Sequence, residues 1–304
     1  MKTNKSFSRL GFGAWQLGNS EFWSPMTETE GIALVQKAIE LNVRFFDTAP
    51  GYASGQSETI LGKAIQNHRE DVFISSKFGH KADGTSDFSP ISMESAVQES
   101  LSRLQTTYLD ALLLHNPSMY ILQGKTTHFQ MMKSLQTKGL IRHYGVSIDS
   151  YDELKAVLES TDVEVIELLF NVFFQAPIPL FEEIKKRGIL LVIKVPLDSG
   201  WLSGKYNQYS SFTGIRDRWD NATIQRRGTL VEELKRLCND DVLTRYAFAF
   251  ILSFDAVGVV IPGTHDVNHL LSNIEAVQYS LSPDIKDKML ELYKTKLSKN
   301  PLPW

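Results

Sequence analysis

Between Arg9 and Ala276 short apolar runs alternate with amphipathic stretches, a pattern that suits βα units on a mostly parallel sheet and few other architectures. The runs Leu10–Ala14, Arg44–Thr48, Val72–Lys77, Leu109–His115, Ile141–Val146, Val165–Phe170, Leu190–Val195 and Ala256–Ile261 read as strands. Helices are expected over Glu28–Leu41, Glu58–Gln66, Ser92–Leu104, Gly124–Lys138, Tyr151–Glu159, Ile178–Lys186, Leu230–Phe250, with a break near Asp240-Asp241, and Val267–Ala276. In the first of these, Ile32, Leu34, Val35, Ala38, Ile39 and Leu41 fall mostly on one face, as a helix packed outside a barrel requires. Ser282-Pro283-Asp284 can cap one more helix, reaching about Leu297.

Eight βα units predict an α/β fold, a (β/α)8 TIM barrel with an extra C-terminal helix and a long loop after the seventh strand, from Ser199 to Gly228. The alternative is an open doubly wound sheet, whose first strand would lead into G-x-G-x-x-G. Gly11-Phe12-Gly13-Ala14-Trp15-Gln16 puts glutamine where the third glycine belongs. No repeat beyond the βα alternation, no low-complexity tract and no linker divides the 304 residues, so residues 1–304 are read as one barrel domain.

A net charge of -3 gives no electrostatic reason to expect nucleic acid or an anionic membrane as partner. Arg216, Arg218, Arg226 and Arg227 gather in the long loop, where a solvated surface is the plain reading and a phosphate contact the alternative. No apolar stretch follows Met1–Lys5, and no segment has the roughly 20 apolar residues that span a bilayer, so a cytoplasmic location is expected. Cys238 stands alone, which excludes an internal disulfide, and it reads as a helix packing residue rather than a nucleophile.

Chemistry gathers at the strand ends. Asp47, Lys77 and His115 close the second, third and fourth strands, and Tyr52 follows the first of these through a Pro50-Gly51 turn. In a parallel barrel such positions face the mouth and become neighbours. A phenol with a reference pKa of about 10 exchanges protons poorly at neutral pH, and an adjacent ammonium lowers that value. Lys77 is placed to act so, Asp47 to offset the cost of burying it, and His115 to orient a carbonyl toward Tyr52. Each residue alone is more often structural; their joint placement points to acid–base catalysis.

The stretches Phe46-Asp47-Thr48-Ala49-Pro50-Gly51-Tyr52 through Gly55-Gln56-Ser57-Glu58, Ser76-Lys77-Phe78-Gly79, Leu113-Leu114-His115-Asn116-Pro117 and Gly145-Val146-Ser147 resemble the aldo-keto reductase family, from about Leu10 to Ala276. The resemblance implies a barrel that binds a nicotinamide dinucleotide without a Rossmann domain and reduces aldehydes or ketones, or oxidises the alcohols. Asp47, Tyr52, Lys77 and His115 match the family's catalytic tetrad.

By the same resemblance Ser147 holds the nicotinamide carboxamide. Two positions depart from the family pattern: Ile148 stands where asparagine is common and Glu167 where glutamine is common, with Asn171 a candidate to compensate. Val195-Pro196-Leu197-Asp198-Ser199-Gly200-Trp201-Leu202-Ser203-Gly204-Lys205 is similar to the pyrophosphate-spanning loop, which makes Pro196, Leu197, Ser199, Leu202 and Lys205 cofactor candidates. Lys194, where the family often has an aromatic residue, is either a cofactor contact or a snorkelling barrel residue. Gly263, Thr264, His265, Asp266, His269 and Asn273 match the adenosine-phosphate site at a helix N-terminus. Histidines stand there instead of arginine or lysine, so NADP(H) is favoured by resemblance and NAD(H) stays open.

Trp15, Trp23, Phe78 and Trp201 are expected to wall an aromatic pocket for a small carbonyl or alcohol substrate, with packing under loops as the alternative. The tail Asn300–Trp304 either lies near the mouth or frays. Competing functions are a sugar or alcohol dehydrogenase running the same step in reverse, a non-catalytic nucleotide sensor resembling the potassium-channel β-subunits, and a phosphate-handling barrel lyase or isomerase. The sequence is silent on oligomeric state.

Overall fold

The computed structural model describes residues 7–21 and 23–303; Met1–Lys5 and Trp304 lie outside them. Eight parallel strands, each hydrogen-bonded to the next in chain order, form one sheet: β1 Phe12–Gly13, β2 Phe45–Asp47, β3 Phe73–Phe78, β4 Leu109–His115, β5 Ile141–Ile148, β6 Val165–Leu169, β7 Leu190–Lys194 and β8 Val257–Val260. Parallel bridges Leu10↔Val260 and Gly13↔Gly263 bring the first strand against the last and close the barrel. The predicted (β/α)8 architecture is therefore what the chain adopts.

The helices are α1 Glu28–Glu40, α2 Gln56–Ile65, α3 Met93–Leu104, α4 Met119–Leu122, α5 His128–Thr137, α6 Tyr151–Ser160, α7 Phe181–Arg187, α8 Asn221–Cys238, α9 Thr244–Leu252, α10 Val267–Ala276 and α11 Pro283–Lys296. Two begin with reciprocal capping boxes, Thr27 with Glu30 and Ser150 with Glu153. The extra C-terminal helix is α11, capped by Ser282 with Pro283 just inside its start. Among the described residues no helix is long and apolar enough to cross a membrane.

Three expectations needed correction. The helix foreseen over Gly124–Lys138 starts later, as α5 at His128, because Gly124 takes φ +68° and ends a separate short helix, α4, that precedes it. The long loop is shorter than expected: Asp220 accepts from the Thr223 N–H and starts α8 there, while Asn239 in the left-handed region ends it before α9. Ala14 belongs to a 3-10 turn, Ala14–Gln16, and not to β1.

Strand register sorts the inward side chains into layers. Phe45, Phe73, Ala111, Leu113, Val165, Val192, Val259 and Ile261 fill the interior as one apolar cluster, with Phe7 packed edge-on to Phe45 and Phe73. The pairings Asp47↔Ser75, Lys77↔Leu113, His115↔Ser147, Ser147↔Glu167 and Leu169↔Lys194 set a polar layer directly above it, since inward positions recur every second residue. The apolar layer makes the barrel a packed core; the polar layer is its mouth.

Gly145 is fixed by close backbone approach. A Cβ on it would lie 1.8 Å from the Val165 carbonyl oxygen of the neighbouring strand, so any side chain forces β5 and β6 apart. Gly145→Ala is expected to cost about 3 kcal/mol of stability, the upper range for overpacking, as read by denaturant unfolding; an unchanged midpoint would show that the strands tolerate the shift.

Candidate active site

The polar layer converges on the Lys77 ammonium. Lys77 is 2% exposed and donates to the Asp47 carboxylate, to the Thr48 carbonyl at 3.0 Å and to the Tyr52 hydroxyl at 3.3 Å. A second carboxylate, Glu167, places Oε2 3.4 Å from the same nitrogen. Ala53 and Ser54, both left-handed without being glycine, turn the chain sharply after Tyr52 and aim its phenol inward. The His115 ring stands perpendicular to the phenol, centroids 6.1 Å apart. The four strand-end residues singled out from the sequence are thus brought together.

Burial tends to lower the Lys77 pKa, but Asp47 and Glu167 outweigh it and raise the net value, keeping the amine protonated. Burial also raises the Tyr52 phenol; Lys77 pulls it down, and the two carboxylates push it further up. The net direction is upward, so the expected acidification by Lys77 is present only as one opposing influence, and the phenol is held as a proton donor. Glu167 is lowered, because Lys77 and Lys194 overcome its burial, whereas Asp47 is raised by burial and by Glu167.

Beside the tetrad runs a polar chain that the residue types alone did not announce. Ser147 donates to Glu167 at 2.9 Å, and Lys194 donates to Ser147 at 2.9 Å, to Asn116 at 3.2 Å and to Asp149 at 2.8 Å. Lys194 is therefore paired at the mouth rather than snorkelling. Asn116, Asp149 and His80, whose ring lies 4.9 Å from that of His115, are site residues the sequence reading missed. Their signal is positional: each sits just past the end of a strand whose last inward residue is polar.

The loop after β7 is held in an unusual backbone path. Val195, Asp198, Ser199, Gly200 and Gly204 all have positive φ, a costly state for a β-branched valine. Asn171, fully buried, donates to the Val195 carbonyl at 3.0 Å and fixes that bend. Arg216 donates to the Ser199 carbonyl and Arg218 to its hydroxyl, at 2.8 and 3.3 Å, while Lys205 projects over the Tyr206 ring. Pro196 is buried and Leu197 half-buried in the same bend.

Several expectations fail here. The Leu202 side chain is fully buried under the loop. Trp201 is also fully buried, packed on Tyr206, Phe212 and Trp219, so it supports the loop from below instead of walling the pocket. Arg227 is no solvated loop residue: it lies on α8 at 0% exposure, paired with the buried Asp198 carboxylate, and donates to the Pro303 carbonyl. Burial raises Asp198 to about 6 against the pull of Arg227. Arg226 binds backbone carbonyls of Lys296, Asn300 and Pro301, which fastens the C-terminal tail against α8.

At the far side of the mouth, Asp266 caps α10 by accepting from the His269 N–H and pairs with the His269 ring at 2.9 Å. His265 is hydrogen-bonded to Ser24 at 2.7 Å, Thr264 and Asn273 are buried, and Gly263 packs against the Gln16 amide. Trp15 contacts Trp23 edge-on at 4.8 Å and lies 6.3 Å from the Tyr52 ring, so Trp15 borders the phenol and Trp23 packs on Trp15. Phe78 is buried, edge-on to Phe88, beneath that surface.

Burial holds His115 well below the usual imidazole range, with Lys77, Lys194 and His80 adding to the effect. Below about pH 6.5 the unfolded chain binds a proton there that the folded chain refuses. The resulting stability is present above that pH and is lost as pH falls toward the folded value. Between neutrality and about pH 5, denaturant melts of the wild type should lose stability more steeply than those of His115→Gln, by at most about 1.4 kcal/mol per pH unit; equal slopes would show that the imidazole is not neutral.

Comparison with known proteins agrees with this geometry. The sequence model of the Aldo/keto reductase family matches residues 9–294. An uncharacterized oxidoreductase of Bacillus subtilis, YqkF, is 29% identical over 284 residues, covering 88% of this chain and 87% of that protein. An NADH-specific methylglyoxal reductase of Escherichia coli is 25% identical over 309 residues, covering 92% and 93%. The holo structure of the aldo-keto reductase AKR11C1 from Bacillus halodurans superposes with a TM-score of 0.80 at 25% identity, covering 97% of this chain and 95% of that one. With its barrel, its strand-end constellation and a family match over nearly its whole length, the chain belongs to the aldo/keto reductase family of oxidoreductases.

Proposed function

We propose that the protein reduces aldehydes or ketones to alcohols with a nicotinamide dinucleotide. The observation that carries this reading is the Lys77 ammonium, buried with its carboxylates, 3.3 Å from the Tyr52 hydroxyl at the barrel mouth. Tyr52 gives the proton to the carbonyl oxygen, and His115, kept neutral, donates a hydrogen bond that orients that oxygen. Lys77 stabilises the phenolate as it forms, and Asp47 keeps Lys77 charged. When bound, the dinucleotide supplies hydride to the carbonyl carbon. The residues present suit it: the bent 195–204 backbone with Arg216, Arg218 and Lys205 offers cations for a pyrophosphate, and the Ser147 hydroxyl oxygen, whose proton goes to Glu167, can accept from the carboxamide NH2.

The adenosine end supports NADH in preference to the NADPH that resemblance favours. Asp266 puts a carboxylate at the α10 N-terminus where a 2′-phosphate would bind, and His269 is engaged with it. No lysine or arginine stands between Gly263 and Asn273. The E. coli relative is named as NADH-specific, which points the same way. Oxidation of a sugar or other alcohol is the same chemistry reversed, with Tyr52 as base, and is assayed in the same experiment.

Two measurements test the reading. Purified protein with NADH and a panel of small aldehydes and ketones should consume the dinucleotide, and Tyr52→Phe should lower kcat by at least about 100-fold with the dinucleotide Kd unchanged. Nucleotide binding without turnover on any carbonyl or alcohol would favour the sensor reading. His269→Arg should improve NADPH affinity relative to NADH by about tenfold, the worth of one hydrogen bond to a charged group; a wild-type preference for NADPH would overturn the cofactor assignment.

A further inference from the structure

Two buried carboxyl oxygens in the polar layer, Asp47 Oδ2 and Glu167 Oε2, have no hydrogen-bond partner, although the Lys77 ammonium lies 3.4 Å from the latter. They belong to the two carboxyl groups that flank the Lys77 ammonium, 3% and 2% exposed, and these side chains are within hydrogen-bonding reach of one another. Two facing carboxylates cannot both stay ionised at that separation unless cations offset them fully. Lys77 serves both, while Lys194 reaches Glu167 only through Ser147. One proton held between the two carboxyl groups removes the excess negative charge and gives them a mutual hydrogen bond.

We propose that Asp47 and Glu167 share one proton across Lys77, and that Glu167, Ser147 and Lys194 form the route by which this store refills Tyr52 after each reduction. The inference rests on the proposed carbonyl reduction for its second half only. The hydrogen bonds already run in the needed direction, Lys194 to Ser147 to Glu167, and Lys194 reaches the partly exposed Asp149 at the mouth. The tyrosinate left by proton donation takes a proton from the Lys77 ammonium, breaking N–H and forming O–H. The Lys77 amine takes the shared carboxyl proton. The Ser147 hydroxyl proton then passes to Glu167, a Lys194 proton passes to Ser147, and bulk water resupplies Lys194. Every step moves one proton, and oxidation would run the series backward. His115, beside Tyr52, and His80, beside His115, are not links in this series.

The shared proton is tested without turnover. Infrared spectra of the cofactor-free protein at neutral pH, in H2O and D2O, should contain a carboxylic acid C=O band that is isotope-sensitive and is lost in both Glu167→Gln and Asp47→Asn, each checked for folding by circular dichroism. Either substitution leaves one carboxylate beside Lys77, which stays ionised. No such band in the wild type, or a band that survives either substitution, overturns the shared proton. A wild-type band with no oxidoreductase activity would leave the pair standing and sink the proposed function instead.

The route is tested by Ser147→Ala, which cuts it and leaves the pair. Within this variant, at saturating dinucleotide, the steady state should run about 100-fold slower than the variant's own first turnover, the lower end for losing a proton-transfer partner, and acquire a solvent deuterium isotope effect that the first turnover lacks. An unaffected steady state, or a first turnover slowed equally, would overturn the route and assign Ser147 to cofactor positioning.

Discussion

A single buried ammonium organises the mouth of this barrel. Lys77 stands where water is excluded, and the cost of leaving a cation there unpaired would run to several kcal/mol. Carboxylates on β2 and β6 and a carbonyl after β2 meet that demand from opposite sides of the lumen. Because three strands must be in register for those contacts to form, the electrostatics and the topology are one constraint. The same contacts leave one vertex of the ammonium facing the Tyr52 hydroxyl, which is how the cost of burial becomes a proton-transfer site.

The scaffold beneath is rigid for a different reason. Phenylalanine and aliphatic side chains fill the lower layer as a packed cluster. Polar inward side chains gather in the top layer, where partners lie within one strand spacing; at the opposite end His143 stacks on Phe73 and pairs with Glu164. This explains why Ser147, Glu167 and Lys194, unremarkable as types, join one hydrogen-bonded chain: each is the last or nearly last inward residue of its strand.

The loop after β7 is anchored from outside the lumen. Its left-handed residues would relax without support, and the support is a fully buried ion pair, Asp198 with Arg227, the latter also holding the C-terminal tail through Pro303. Trp201 and its aromatic neighbours fill the space under the same loop. The tail and α8 thus reach the ligand face through one guanidinium, although neither borders the tetrad.

Much of this was legible in the sequence. Strand and helix periods follow from local side-chain alternation, and Asp47, Tyr52, Lys77 and His115 stand out because each follows an apolar run and carries acid–base chemistry. Helix ends were read less well at Gly124 and Asp220, where one residue's backbone state or cap overrides the hydrophobic pattern. Burial was misjudged for Arg227 and Trp201, since a charge and an indole look the same in sequence whether they face water or a partner supplied by a distant segment. The sequence by itself determined the alternation that makes a parallel barrel and the residues that end its strands, because those depend on neighbours a few positions apart. Only the tertiary structure decided that Glu167 would face Asp47 across Lys77, because strand register through a closed sheet sets which distant carboxyl groups share one dry volume.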